Sequence, residues 1–78
     1  MSTAPWIMIA WTVPERVRRD AEIVTVARPV AVTWVRHATD RQRKRAACHA
    51  ATIPGAVVVE VPQADPDPIA TAKAAVAA

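Results

Sequence analysis

Pro29-Val30-Ala31-Val32-Thr33-Trp34-Val35-Arg36-His37-Ala38-Thr39-Asp40-Arg41-Gln42 is the stretch on which the fold turns, because its first half satisfies two incompatible patterns. Read with a period of two, Val30, Val32 and Trp34 alternate with Ala31, Thr33 and Val35, and the β-branched content suits a strand. Read at 100° per residue, Ala31, Trp34, Val35, Ala38, Gln42, Ala46, His49 and Ile53 gather on one side, with Thr33, Arg36, Asp40, Arg43, Lys44 and Ala47 on the other. Pro29 would then occupy the first helical position, where a missing N–H costs nothing. Both readings stay open: one long helix from Pro29 to Thr52, or a third strand followed by a shorter helix. Asp40 to Thr52 is helical in either case. Thr39 and Gln42 have the spacing of a capping box, which favours the shorter helix, and Pro54-Gly55 stops it in both versions.

Working outward, Trp6 to Val13 is aromatic and β-branched, bounded by Pro5 and Pro14. It is apolar on both alternating faces, as a central strand covered on two sides would be. Pro14 to Asp20 reads as an exposed turn, and Ala21 to Ala27 as the second strand. Ile23, Thr25 and Ala27 fall on one face of that strand, Glu22, Val24 and Val26 on the other. The two strands are expected to form an antiparallel hairpin with a loop of about seven residues, longer than is common. Ala56 to Val61 is the last strand, with Val57, Val59 and Val61 on one face and Ala56, Val58 and Glu60 on the other. Pro62, Pro66 and Pro68 then space out Asp65 and Asp67 in an acidic linker. Asp67-Pro68 makes an N-cap and first-turn pair for a tail helix whose stripe is Ile69, Ala72 and Val76. So short a helix is marginal alone, and must dock or fray.

The expected fold is therefore α+β: a small three- or four-stranded sheet (β-β-α-β or β-β-β-α-β), one main helix, and a short C-terminal helix or tail. Residues 1–62 form the single domain, and 63–78 the linker and Ala-rich tail. One main helix covers one sheet face, so the other needs the tail helix or a second subunit. Dimerisation is expected on that ground.

Composition narrows the function classes. The chain has 78 residues and 53% apolar letters, yet the largest share of those is Ala, and Leu, Phe, Tyr and Asn are absent. A chain of this length holds one domain and buries about 60–65% of its unfolded surface. Its core must be thin, which excludes a multidomain enzyme and a leucine-seamed coiled coil. Net charge is +3, with 10 Lys and Arg against 7 Asp and Glu, permitting loose attraction to polyanions without requiring it. Cys48 is the only cysteine, so no internal disulfide forms and a secreted disulfide scaffold is excluded. The opening residues carry no positive n-region, and the apolar run Trp6 to Val13 falls far below the ~20 residues that span a bilayer. A cytoplasmic protein without membrane association is the expectation.

The densest charged feature runs from Arg36 to Arg45, with Arg36, Arg41, Arg43, Lys44 and Arg45 against the single acid Asp40. Cations in the first turns of a helix oppose its dipole, so folding alone does not ask for them there. An anion would be welcomed by both the charge and the free N–H groups, and phosphate with its bidentate Arg contacts is the commonest. The simpler alternative is a solvated helix face with Asp40 paired locally to Arg36 or Lys44. Trp34 lies beside the cluster and, if exposed, would be an interface anchor. Trp34, Arg36, Arg41, Arg43, Lys44 and Arg45 are thus the candidate contacts for a partner or a polyanion. All three tryptophans read first as core anchors, Trp6 and Trp11 on opposite faces of the first strand and Trp34 beside the basic cluster.

No catalytic, cofactor or metal site is expected. His37, Cys48 and His49 are the only soft ligands. On one helix, eleven residues place His37 and Cys48 about 16 Å apart, while Cys48 and His49 project about 100° apart. That geometry suits neither zinc nor a Cys–His dyad. Cys48 reads as a small buried or half-buried hydrophobe, and His49 as a core-edge histidine. Glu15, Asp20, Glu22 and Glu60 are scattered, and one glycine, Gly55, cannot build a phosphate-cradling loop.

Trp6-Ile7-Met8-Ile9-Ala10-Trp11-Thr12, Val24-Thr25-Val26-Ala27-Arg28 and Ile53-Pro54-Gly55-Ala56-Val57-Val58-Val59-Glu60-Val61 together resemble the small uncharacterised α/β proteins of actinobacteria and their phages. The resemblance spans about residues 6–61 and is compositional. It implies a strand–strand–helix–strand order and no activity or catalytic residues, and the region from Pro29 to Thr52 is longer than its pattern. The expected function is a non-catalytic protein-interaction module, a phage or accessory factor that binds a partner protein or a second copy, with no small-molecule substrate. The alternative is a nucleic-acid-associated accessory protein acting through residues 36–45.

Overall fold

A computed structural model describes residues 4–36 and 39–77. The chain runs β1 (Trp6–Arg19), β2 (Glu22–Val35), α1 (Asp40–Ala50), β3 (Val57–Val61) and α2 (Pro68–Ala74). The three strands form one antiparallel sheet in the order β2-β1-β3. This is a small α+β fold with one main and one short helix.

The doubtful stretch is strand. Val30 to Val35 continues β2, which runs unbroken from Glu22 through Pro29. This corrects both the long-helix reading and the idea of a separate third strand. β2 lies at the sheet edge, and an edge strand tolerates proline because a missing N–H need break no ladder there. The helix instead begins where the capping box sets it. Thr39 is the N-cap, its Oγ1 accepting from the Gln42 N–H at 3.2 Å, while the Thr39 N–H donates to Gln42 Oε1 at 3.0 Å.

The hairpin is longer and tighter than expected. β1 does not end at Pro14 but pairs with β2 through to Arg19–Glu22, and the seven-residue loop is replaced by a two-residue turn, Asp20-Ala21. Asp20 takes φ 57°, the left-handed region that a tight hairpin turn demands and that Asp tolerates better than most residues. Proline 14 survives inside a strand for a topological reason: β3 pairs only Trp6 to Ala10, leaving β1 with a free edge farther on. Fourteen strand residues at ~3.4 Å each give about 48 Å, which accounts for the 55 Å long axis of a molecule only 14 Å thick.

Alternation along β1 builds a core on each face. Ile7 and Ile9 are fully buried against Ala46 and Ala50 of α1, with Trp11, Val35, Ile53 and Ala56 packed around them. Met8 and Ala10 are buried on the opposite face with Val61 and Ala72 of α2, beside Trp6, Ala31, Val59 and Val76. The helices contribute only alanines to the fully buried set, so they sit close to the sheet and the core is thin. The tail helix thus covers the central part of the second face, where a second subunit had been the alternative. Its first turn is fixed by Asp67, whose Oδ1 accepts from the Ala70 N–H at 3.1 Å, and by Pro68 at its start. Ile69 is 43% exposed, so only Ala72 and Val76 of the expected stripe pack.

Candidate functional site

A β-bulge places the first site residue. Ile7 pairs with Val35 and Met8 with Thr33, leaving Trp34 as an extra residue in β2. Two consecutive side chains then reach the α1 side, Val35 into the Ile7–Ile9 cluster and Trp34 onto His49. The indole and imidazole are stacked, with centroids 4.6 Å apart and planes 27° from parallel. Trp34 remains 38% exposed.

Helical spacing supplies the rest. Buried Ala46 and Ala50 fix the rotation of α1, which puts His49 and Arg45 on the flank toward β2 and Lys44 and Cys48 on the outer side of the helix. Trp34, Lys44, Arg45, Cys48 and His49 line an open cleft of about 420 Å³. Its lining holds two cations and no acid, and neither Lys44 nor Arg45 makes an ion pair with a described residue.

The remaining candidates go elsewhere. Arg43, on the β3 side of α1, donates through Nε to Glu60 and through Nη1 to Asp40 at 3.0 Å. The Glu60 hydrogen bond, with lesser help from Asp40, raises its pKa above the ordinary arginine value. Arg43 is therefore an intramolecular tie between α1 and β3, and Asp40 serves it in place of Arg36 or Lys44. Arg36 lies over the Trp6 ring, 5.9 Å from its centroid, while its backbone carbonyl accepts from Gln63 Nε2. Arg41 is exposed one turn before Arg45, on the same side of α1. Of the six candidates the cleft unites Trp34, Lys44 and Arg45.

Two cleft residues escaped the sequence reading. Cys48 is exposed, not buried, and His49 is exposed and stacked on Trp34. Their i, i+4 and i, i+5 spacing from Lys44 was visible, but assigning it needed Trp34 on a neighbouring strand. His37 lies outside the described residues. Among the described residues no three His, Cys, Asp or Glu side chains converge as a metal site would require, and no helix is long and apolar enough to cross a membrane.

A second surface appears beyond the helices. From Trp11 to the tip the hairpin is a two-stranded arm, and its α1-side face carries Trp11, Val13 and Val17 beside Val30, Val26 and Val24. Apart from Trp11, which packs on the Ile7–Ile9 cluster, none of them belongs to either core cluster, yet all are half-buried by one another. The same face carries Glu15 and Glu22 against Arg19 and Arg28, with Arg28 and Glu15 4.0 Å apart. The opposite face of the arm carries Arg16 and Arg18, with Ile23 70% exposed.

No protein-family model, curated protein or solved structure matches this chain.

Proposed function

We propose that the chain is a non-catalytic protein-interaction module that docks through the α1-side face of its hairpin arm, and that the occupant is a second copy. The observation that carries this is an apolar set, Trp11, Val13, Val17, Val24, Val26 and Val30, interrupted only by Glu15 and Arg28, on one face of a ribbon of only two strands. A two-stranded hairpin is marginal in water by itself, and one apolar face left to solvent makes it more so. Covering that face gives the arm the second layer that β1 already has over Ile7 and Ile9.

Charge selects the occupant. The molecule has net charge +3, so two copies repel at long range. The arm face, with two acids and two bases, is neutral and self-complementary. An isologous contact about a two-fold axis can set Glu15 of one copy near Arg28 of the other. From Trp11 to Arg19 the arm reaches about 30 Å at ~3.4 Å per residue and is two strands wide. A ribbon ~10 Å wide gives roughly 600 Å² of flat area over two copies, below the ~1,200 Å² of stable complexes, so the dimer is of the weak, transient class.

Light scattering coupled to size exclusion, run from micromolar to millimolar loading, tests this. The mass should climb from 8.4 kDa toward twice that value. Val17→Thr with Val24→Thr, which makes a directly opposed pair polar while keeping β-branched residues, should hold it at the monomer while circular dichroism stays native. A monomer at every concentration, or a dimer indifferent to these substitutions, retires the proposal.

A further inference from the structure

The cleft between Trp34 and α1 is distinct from the arm and has a chemistry of its own. It brings together the stacked Trp34 and His49 rings, two cations that pair with no acid among the described residues, and about 420 Å³ of open space, a volume suited to one nucleotide-sized group. Arg43, next to Lys44 in sequence, is turned away into ion pairs with Glu60 and Asp40. Arg41, Lys44 and Arg45 form no ion pair with a described residue, Arg41 and Arg45 lying on the β2 flank of α1 and Lys44 on its outer side. Arg41 and Arg45 are one turn apart, about 6 Å along the axis, so they form a short row and not a point.

Ligand classes differ in how much of this they use. An acidic peptide would neutralise the cations but leave the ring faces idle. A duplex offers phosphates while keeping its bases stacked inside. An unpaired nucleotide brings a π face and a phosphate together, and base stacking on aromatic side chains beside a cationic track is how single strands are held without sequence preference. We propose that the cleft binds single-stranded nucleic acid, a splayed base packing against the Trp34–His49 pair and the flanking phosphates lying on Lys44, Arg45 and Arg41. The bulge that aims Trp34 at α1 is then a functional device, since without it one side chain, not two, would reach that side of the strand.

Titration with an oligodeoxythymidylate, followed by tryptophan fluorescence, provides the test, with the matching duplex, polyphosphate and poly-glutamate as parallel arms. The single strand should quench emission at 50 mM salt. Two to three phosphate contacts at a slope of about −0.7 each predict a loss of roughly 7- to 18-fold in affinity between 50 and 200 mM. Lys44→Gln with Arg45→Gln, both exposed positions, should weaken binding and flatten that slope with the fold unchanged. Trp34→Ala should cost about 5-fold or more, and Trp34→Phe should keep most of the affinity. Cys48 lines the cleft, so the single strand should also slow its alkylation by a maleimide. Absence of quenching at 50 mM salt overturns the proposal. So does equal binding of the duplex, polyphosphate or poly-glutamate, or an affinity that Lys44→Gln with Arg45→Gln leaves untouched.

Discussion

Trp34 of β2 stacks on His49 of α1 at 4.6 Å between ring centroids, and this contact ties the sheet edge to the far end of the main helix. β2 ends at Val35 and α1 begins at Asp40, and the stack links the end of the strand to the third turn of the helix. An aromatic pair of this kind contributes about 0.5–1.5 kcal/mol beyond the area it buries. His49→Ala should lower stability by that amount, read as a shift in urea midpoint at constant m-value. A midpoint that does not move would mean the stack is not held in solution.

The capping box makes a sharper prediction. Thr39 and Gln42 exchange two hydrogen bonds at the start of α1, where four basic residues, Arg41, Arg43, Lys44 and Arg45, lie in the first two turns and oppose the helix dipole. Asp40 in the first turn and the Glu60 contact of Arg43 offset only part of that opposition. Thr39→Ala should therefore destabilise by about 1 kcal/mol, and Thr39→Ser by much less. Chemical denaturation of the two variants side by side decides it; equal losses would show that the box is not what starts the helix.

Two positive-φ positions should respond in opposite directions. Asp20, at φ 57° in the hairpin turn, is a place where glycine is easier, and Asp20→Gly should stabilise the arm by up to about 1 kcal/mol. Gly55, at φ 74° after α1, has nothing within 4 Å of the place a Cβ would take. Gly55→Ala therefore carries backbone strain without a clash and should cost about 1 kcal/mol. Thermal melts of both variants check the pair, and a destabilised Asp20→Gly or a neutral Gly55→Ala would contradict the turn geometry.

The tail has an acid sensitivity whose sign follows from its bonds. Asp65 accepts from the Thr71 hydroxyl at 2.6 Å and from the Asp67 N–H at 2.8 Å. The hydroxyl bond first, and the backbone bond second, hold its carboxyl below the ordinary value of 3.8. A carboxyl with a depressed folded-state pKa stabilises above its unfolded value, and that help is lost as pH falls through the folded value. The tail's docking should thus weaken below about pH 4, and Asp65→Asn should remove that part of the pH dependence. Stability measured from pH 7 to pH 2 on both proteins would reveal an error if the two profiles stayed parallel.

Much of the fold could be read from residue patterns, and the failures have physical causes. The two-faced apolar run Trp6 to Val13 points to a central strand, and Thr39 with Gln42 favours the helix start that the structure uses, because both signals are local. What pattern could not show was β1 continuing past Pro14 and β2 past Pro29. Proline in a strand is permitted or forbidden by whether the neighbouring edge is free, which for Pro14 depends on β3 pairing no farther than Ala10 and for Pro29 on β2 being the edge strand. The site was half legible for the same reason. Lys44 and Arg45 were singled out by charge, but His49 and Cys48 join them only once a bulge turns Trp34 toward α1. Arg43 was included by its neighbours' charge, and only the packing of α1 beside β3 shows it engaged with Glu60.

The proposed self-docking of the arm is tested most directly by valine methyl NMR spectra recorded from about 10 μM to 1 mM. Val13, Val17, Val24 and Val26 should shift together with concentration, on one binding curve, while the buried Val61 and the Met8 methyl stay fixed. Spectra that do not change with concentration, or changes confined to Val57 and Val58 on β3, would contradict it.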